Sequence, residues 1–243
     1  MSLFSNKLFS LGWFKGLKSE QKSQTHLESL SPPQSIDITP LKNTRFIVLD
    51  LETTGLNIHK DQLIAIGAVV IENNEISLRQ SFERTLSRTL KKVDDTVLIH
   101  GISPEEVARG DTPKQALLDF MNYAGESIFL AYHAPFDQAI LSRALKRDLG
   151  ITLKHRFFDI ADIAPALFSS TELSQSGKRA GLDDWVKYFD LNVSNRHNAS
   201  ADALATAEIT LILLREAEKQ EVHTLIQLSE KIKNYKSLQQ MRG

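Results

Sequence analysis

The stretch FIVLDLETTGL, residues 46–56, joins an apolar run to two acids. Its first part is typical of a strand that is covered on both faces. Asp50 and Glu52 stand two positions apart, and positions i and i+2 of a strand point to the same face. Ionised carboxylates in a buried strand are costly unless something pairs with them. The stretch therefore leaves two interpretations, a solvated strand end or a metal site.

The composition excludes several classes of protein. The chain has 243 residues, of which 42% are hydrophobic and 24% charged, as in an ordinary globular protein. Cysteine is absent, which excludes disulfides, thiolate zinc sites and cysteine nucleophiles. Without an apolar run of about 18 residues, we expect no stable membrane insertion and a cytoplasmic protein. The net charge of −1 requires any contact with nucleic acid to be local or metal-mediated.

The pattern divides the chain into three segments. Residues 1–42 are predicted to be an N-terminal arm with a Pro-containing linker, residues 43–220 an α/β domain, and residues 221–243 a C-terminal helix or tail. In the domain, early strands with a turn at Asn73-Asn74 precede strands that alternate with helices. This order predicts a mixed sheet of about five strands with helices on both faces.

Two helix starts carry clear capping signals. Ser103, Pro104 and Glu106 form a capping-box pattern, and Thr112 precedes Pro113 in the same way. The second helix includes QALLDF at 115–120, which superficially resembles a sliding-clamp motif. Because these residues fall on an amphipathic helix, we predict that they pack in the core.

Further acids could join Asp50 and Glu52. Asp137 lies near a strand-to-helix junction, and His197 and Asp202 lie around the start of the longest helix. Alanines keep that helix slim at Ala199, Ala201, Ala203, Ala205 and Ala207. A slim helix can pack close to a strand and would bring Asp202 near the first two acids. Taken alone, Asp137 is typical of a helix N-terminus and His197 of a surface or cap residue.

The set of residues has a natural chemistry. Carboxylate oxygens suit hard cations such as Mg²⁺ or Mn²⁺. Two such ions, about 3.5–4 Å apart, clamp a phosphodiester for in-line attack by water. His197 lies five residues before Asp202, about 140° around a helix, so it need not share the face of the metal ligands. With an ordinary pKa near 6.5, it can act as the general base.

The motifs resemble those of the DEDDh 3′–5′ exonucleases, the family of the DNA polymerase III epsilon proofreading subunit and ribonuclease T. The first family motif corresponds to DLETTGL at 50–56 and the second to YHAPFD at 132–137. The third corresponds to HNASADA at 197–203, and the family's HGI is found at 100–102. The resemblance covers roughly residues 44–215. It implies a ribonuclease H-like exonuclease fold.

The resemblance also implies roles for individual residues. Two Mg²⁺ or Mn²⁺ ions would be held by Asp50, Glu52, Asp137 and Asp202, and His197 would activate the water. Substrate contacts would come from Thr53, Thr54, Gly55, Leu56, His133 and Phe136. His133 is a departure, since the common pattern has asparagine there. His100 is either a loop residue that packs against the helix start or a further substrate contact.

These features predict a metal-dependent 3′–5′ exonuclease. It would release nucleoside 5′-monophosphates from single-stranded or frayed 3′ ends, with DNA favoured as the substrate. Two alternatives stay open: an RNA-trimming enzyme of the oligoribonuclease type and a catalytically silent nucleic-acid-binding module. The four intact acids and the intact His197 argue against the silent module. The choice between DNA and RNA depends on how the site treats a 2′-hydroxyl, which no motif here fixes.

Residues 1–30 are predicted to be a docking arm. The arm is too short for its own core and carries large apolar residues, Phe4, Leu8, Leu11, Trp13, Phe14 and Leu17. They require a cover: the chain's own domain, a second copy, a protein partner such as a DNA polymerase, or a membrane surface. The first and third of these covers are favoured.

Overall fold

A computed structural model describes residues 30–89, 102–176, 178–193 and 198–242. From Pro33 onward, the described residues form one compact unit. The strands are β1 (Phe46–Thr53), β2 (Leu63–Glu72), β3 (Glu75–Thr85), β4 (Ile128–Ala131) and β5 (Phe157–Asp159). The helices are α1 (Pro104–Arg109), α2 (Pro113–Ala124), α3 (Ala134–Leu149), α4 (Ile160–Leu167), α5 (Glu172–Gln175), α6 (Leu182–Tyr188), α7 (Ala199–Lys219) and α8 (Leu225–Arg242).

The five strands form one mixed sheet in the order β3-β2-β1-β4-β5. The first three are antiparallel neighbours, whereas β4 runs parallel to β1 and β5 parallel to β4. The predicted fold class is therefore confirmed. Because β1, β4 and β5 are parallel, their carboxyl ends meet at one edge of the sheet, where ligands bind in sheets of this kind.

Local signals set the turns and helix starts as predicted. Asn73 and Asn74 both have positive φ, 53° and 61°, as a two-residue hairpin turn of type I′ requires. Ser103 Oγ accepts the Glu106 backbone N–H at 3.1 Å, and the Glu106 carboxylate accepts the Ser103 N–H at 2.7 Å, which completes the capping box of α1. In α2 the apolar residues of QALLDF are buried, so the core-packing interpretation is confirmed.

Helices cover both faces of the sheet. Phe46 and Val48 of β1 belong to a core cluster that includes residues of α4, α7 and α8. On the opposite face, Phe129 of β4 lies against Phe120 of α2, with 5.7 Å between ring centroids. The alternation along β1 thus directs Asp50, two residues after Val48, toward the face on which α7 lies.

The segment just before β1 is tied to the start of α8. The Leu225 N–H donates to Thr39 O at 3.1 Å, and the Leu41 N–H donates to His223 O at 2.8 Å. Residues 1–29 of the predicted arm lie outside the described residues, so the docking role of the arm stays a prediction. The three predicted segment boundaries also stay predictions. No helix in the described ranges combines the length and apolarity needed to cross a bilayer.

Candidate active site

The two acids of β1 lie where that strand approaches its carboxyl end. Glu52 is buried, with 3% of its surface exposed, and Asp50 is half-buried. The pairing of β1 with β2 shifts register between Glu52 and Thr53. Such irregularities re-aim side chains at the ends of strands and recur beside active sites.

A glycine lets α7 begin directly on the sheet beside Asp50. Asp50 pairs with Gly67 of β2, and paired residues of antiparallel strands point to the same face. A Cβ at Gly67 would overlap the backbone of Ala199 and Ser200, so helix and strand touch at this point. Asn198 caps the helix by accepting two backbone N–H groups. The first turn then carries buried Asp202 against the strand pair that holds Asp50.

Asp137 reaches the same region from the first turn of α3. It is buried, and burial raises its pKa well above the usual range. The charges of Asp159 and Glu52 act in the same direction, whereas the backbone amide of Leu51 favours the ionised form. The electrostatic influence of Glu52 and the Leu51 amide locate the Asp137 carboxylate beside the end of β1.

The sequence analysis missed a further buried acid, Asp159 at the end of β5. Its Oδ1 accepts the backbone N–H groups of His133 at 2.9 Å and Ala161 at 3.0 Å. Its other oxygen pairs with Arg179 at 2.7 Å. It therefore caps α4 and fixes the residue from which α3 begins, four positions before Asp137. An acid at the end of a third parallel strand was the available signal.

His133 occupies a backbone position that explains the departure from asparagine. Its φ of 65° and ψ of 41° are left-handed, and it is the N-cap of α3. Asparagine, aspartate and histidine are the non-glycine residues that adopt this conformation most readily. Its side chain is exposed, and partial desolvation lowers its pKa. The backbone requirement thus accounts for the residue type, and the contact of His133 with substrate stays a prediction.

The loop after β1 is organised by Asp61, which the sequence analysis also missed. Thr54 Oγ1 donates to the Asp61 carboxylate at 3.0 Å, and Thr53 Oγ1 donates to Gly55 O at 2.6 Å. Both hydroxyl protons are thus used within the loop. Leu56 at its tip is 86% exposed, which leaves an apolar side chain open beside the acids.

The donors fit a hard divalent cation in chemical type. Carboxylate oxygens come from β1, α3 and α7. A bound cation would offset the cost of burying the Asp137 carboxylate and its repulsion by Asp159 and Glu52, the causes that raise the pKa of Asp137. Within the described ranges, no three His, Asp or Glu side chains form a group ready to ligate a metal ion. The acids lie at one edge of the sheet, but in the described ranges they do not form a preorganised metal-binding site.

Two predicted residues, His100 and His197, lie outside the described residues. Their assignments, as a possible substrate contact and as the general base, stay predictions. Phe136 is half-buried in the first turn of α3, one residue before Asp137.

A mixed sheet with acids at the end of its central strand and on two helix starts defines a ribonuclease H-like exonuclease fold. Residues 47–210 match the exonuclease (RNase T) family model. The chain therefore belongs to this exonuclease family, a family of nucleases.

Curated relatives are much longer proteins. The chain is 29% identical over 174 residues to a PolC-type DNA polymerase III of Caldanaerobacter subterraneus, covering 72% of this chain and 12% of that protein. It is 27% identical over 198 residues to the PolC-type DNA polymerase III of Thermotoga maritima, covering 82% of this chain and 14% of that protein. The chain thus spans about an eighth of the length of these polymerases.

Solved structures share the fold at low identity. Escherichia coli exonuclease I in complex with a dT13 oligonucleotide superposes with a TM-score of 0.60 at 18% identity, covering 73% of this chain and 42% of that chain. Cell-death related nuclease 4 superposes with a TM-score of 0.60 at 18% identity, covering 72% of this chain and 64% of that chain. At this low sequence identity, the likeness to these structures shows a shared fold.

Proposed function

We propose that the protein is a metal-dependent exonuclease that removes nucleoside 5′-monophosphates from the 3′ end of DNA. The observation that carries the proposal is the start of α7 on Gly67, because it sets Asp202 against the strand pair that holds Asp50. Buried Glu52 and Asp137 lie at the same edge of the sheet. Membership of the exonuclease family supports the reaction class.

In this proposal Asp50, Glu52, Asp137 and Asp202 hold two Mg²⁺ or Mn²⁺ ions. Such ions, when bound, neutralise the phosphodiester charge and make water a better nucleophile. Burial of three of these carboxylates excludes bulk water from the ligands and strengthens their electrostatic effect. Asp159 is a positioning residue in this proposal. It accepts the His133 N–H, which fixes the start of α3 and so the position of Asp137.

His197 is assigned as the general base that takes the proton of the attacking water. Exposed Leu56 is assigned to pack on the terminal base, which requires the terminal nucleotide to separate from a paired strand. Single-stranded or frayed ends are therefore the proposed substrate. The oligonucleotide on exonuclease I and the polymerase relatives support DNA and a polymerase partner, for which residues 1–30 are the proposed docking arm.

Carboxylate variants test the proposal against a matched control. Asp50→Ala should lower the hydrolysis rate by several orders of magnitude, and Glu52→Gln should also lower it strongly. Glu75→Gln, at an exposed strand position, should retain the wild-type rate. Excess chelator should abolish activity, and added Mg²⁺ or Mn²⁺ should restore it. Full activity in chelator would contradict the metal-dependent mechanism.

A further inference from the structure

Two neighbouring cavities open beside the carboxylate site and under α8. The larger, of about 490 Å³, lies between the first turns of α3, the end of β5 and α8. The second, of about 330 Å³, lies between α4, α8 and the segment before α6. Asp162, Lys236 and Gln240 line both cavities, so the two adjoin, and together they are named here the α8 trough.

The trough carries an excess of positive charge. Lys178, Arg179, Lys233 and Lys236 line it, against Asp159 and Asp162 as its acids. Asp162 serves two of the cations, Arg179 at 3.3 Å and Lys236 at 2.5 Å. In the described part of the chain, Lys178 and Lys233 take part in no ion pair. On a protein of net charge −1, this is a local basic surface.

The trough lies against the first turns of α3, the helix that carries Asp137. Ala134, Pro135 and Gln138 form one wall, and they flank Asp137 in the first turns of α3. Asp159 lines the trough, and its Oδ1 accepts the backbone N–H of His133 at 2.9 Å, four residues before Asp137. Half-buried Phe157 and Tyr235 add aromatic rings to the lining. Basic grooves with aromatic residues are typical of surfaces that bind single strands.

We propose that the α8 trough binds the phosphodiester backbone of a single strand upstream of the nucleotide being removed, with Lys233 and Lys236 contacting phosphates. The proposal rests on the exonuclease function proposed above. The basic lining comes from α8 and from the segment before α6, and α8 begins at Leu225, beyond the matched residues 47–210. Lys233 and Lys236 would therefore add substrate affinity from outside the matched residues.

The test is the salt dependence of binding. Wild type and the double variant Lys233→Ala/Lys236→Ala are titrated with a 5′-fluorescent oligo(dT) of about twelve nucleotides whose 3′ end is blocked by phosphorothioates. Two lost phosphate contacts should flatten the slope of log affinity against log salt by about 1.4. Between about 50 and 200 mM salt, wild type should then lose about sevenfold more affinity than the variant.

The matched control is Lys146→Ala/Lys154→Ala, which removes the same charge from exposed positions outside the trough. It should keep the wild-type slope. In the Lys233/Lys236 variant, the KM for a long oligomer relative to that for a dinucleotide should rise. A wild-type slope in the trough variant would overturn the proposal, as would equally strong binding of a poly-glutamate peptide.

The two proposals fail separately. If wild type binds the blocked oligomer through the two lysines but digests no unblocked one, the exonuclease assignment fails and the trough stands. If the trough variant binds and digests like wild type, the trough fails and the exonuclease assignment stands.

Discussion

The missing side chain at Gly67 sets how closely α7 approaches the sheet. Gly67→Ala would push the new Cβ into the backbone of Ala199 and Ser200. We expect α7 to shift, the free energy of unfolding to fall by about 1–3 kcal/mol and the nuclease rate to drop sharply. Thermal unfolding and rate measurements check this. Gly181→Ala is the control, since its Cβ would meet Asp184 at an ordinary 3.6 Å; equal effects would contradict the account.

The two histidines of the motifs should respond differently to substitution. His197→Ala should lower turnover sharply, leave metal binding nearly unchanged and remove the acid limb of the pH–rate profile. His133→Asn should be mild, because asparagine adopts the same left-handed backbone. Steady-state kinetics across pH distinguish the two. A larger loss in the His133 variant would overturn the assignment of the base.

We expect His155 to make stability depend on pH. Its ring is buried against Phe129, its Nε2 lies 2.8 Å from Gly125 O, and its Nδ1 has no hydrogen-bond partner among the described residues. Burial lowers its pKa, so the unfolded chain takes up the proton first as pH falls. Protonation would bury an unpaired donor, at a cost of about 1–3 kcal/mol.

We therefore expect the free energy of unfolding to decrease as pH falls through about 6.5 toward the lowered pKa of His155. His155→Leu should flatten this dependence in denaturant titrations between about pH 7 and 5. His223→Gln, at an exposed position, should keep the wild-type dependence. The same pH dependence in the His155 variant would contradict the assignment.

Residues 36–41, named here the strap, are bonded to the start of α8 and packed on the core cluster. Its backbone bonds to residues 223–226, and Leu41 is buried in the core cluster. A chain that starts at Pro33 should keep the nuclease rate on a short oligomer. A chain that starts at Lys42 should be less stable by about 2 kcal/mol or more, because it loses Leu41 and these bonds. Equal unfolding curves would show that the strap contributes nothing.

The elements that could be predicted from sequence are those with local signals. The Asn73-Asn74 turn, the Ser103 capping box and the apolar run of β1 each depend on residues a few positions apart. Their bounds and the class of the sheet followed from these patterns. The convergence of β1 with the start of α7 was predicted from alanines alone.

The remaining features depend on partners far apart in the chain. Gly67 meets a helix that starts more than 130 residues later, and on the β2 side a glycine inside a strand was the local sign of that contact. Asp159 acquires its role from His133 and Arg179, which are 26 and 20 residues away. Such long-range contacts follow from the order of the strands, which no single stretch of sequence specifies.

The complete fold concentrates its charge chemistry at one edge. The parallel ends of β1, β4 and β5 meet there, with α3 and α7 beginning beside them and the α8 trough adjoining. In the proposed function, this edge is where a chain of net charge −1 would bind nucleic acid locally. The proposed 3′–5′ direction requires this edge to accept the 3′ end of the nucleic-acid strand.

That direction is tested most directly by digesting one single-stranded oligonucleotide, labelled at its 3′ end in one reaction and at its 5′ end in another, with Mg²⁺ present. The account predicts that the 3′ label appears at once as a mononucleotide. The 5′-labelled strand should shorten one nucleotide at a time, and chelator should stop both reactions. Immediate release of the 5′ label as a mononucleotide, or internal fragments from either strand, would contradict a 3′–5′ exonuclease.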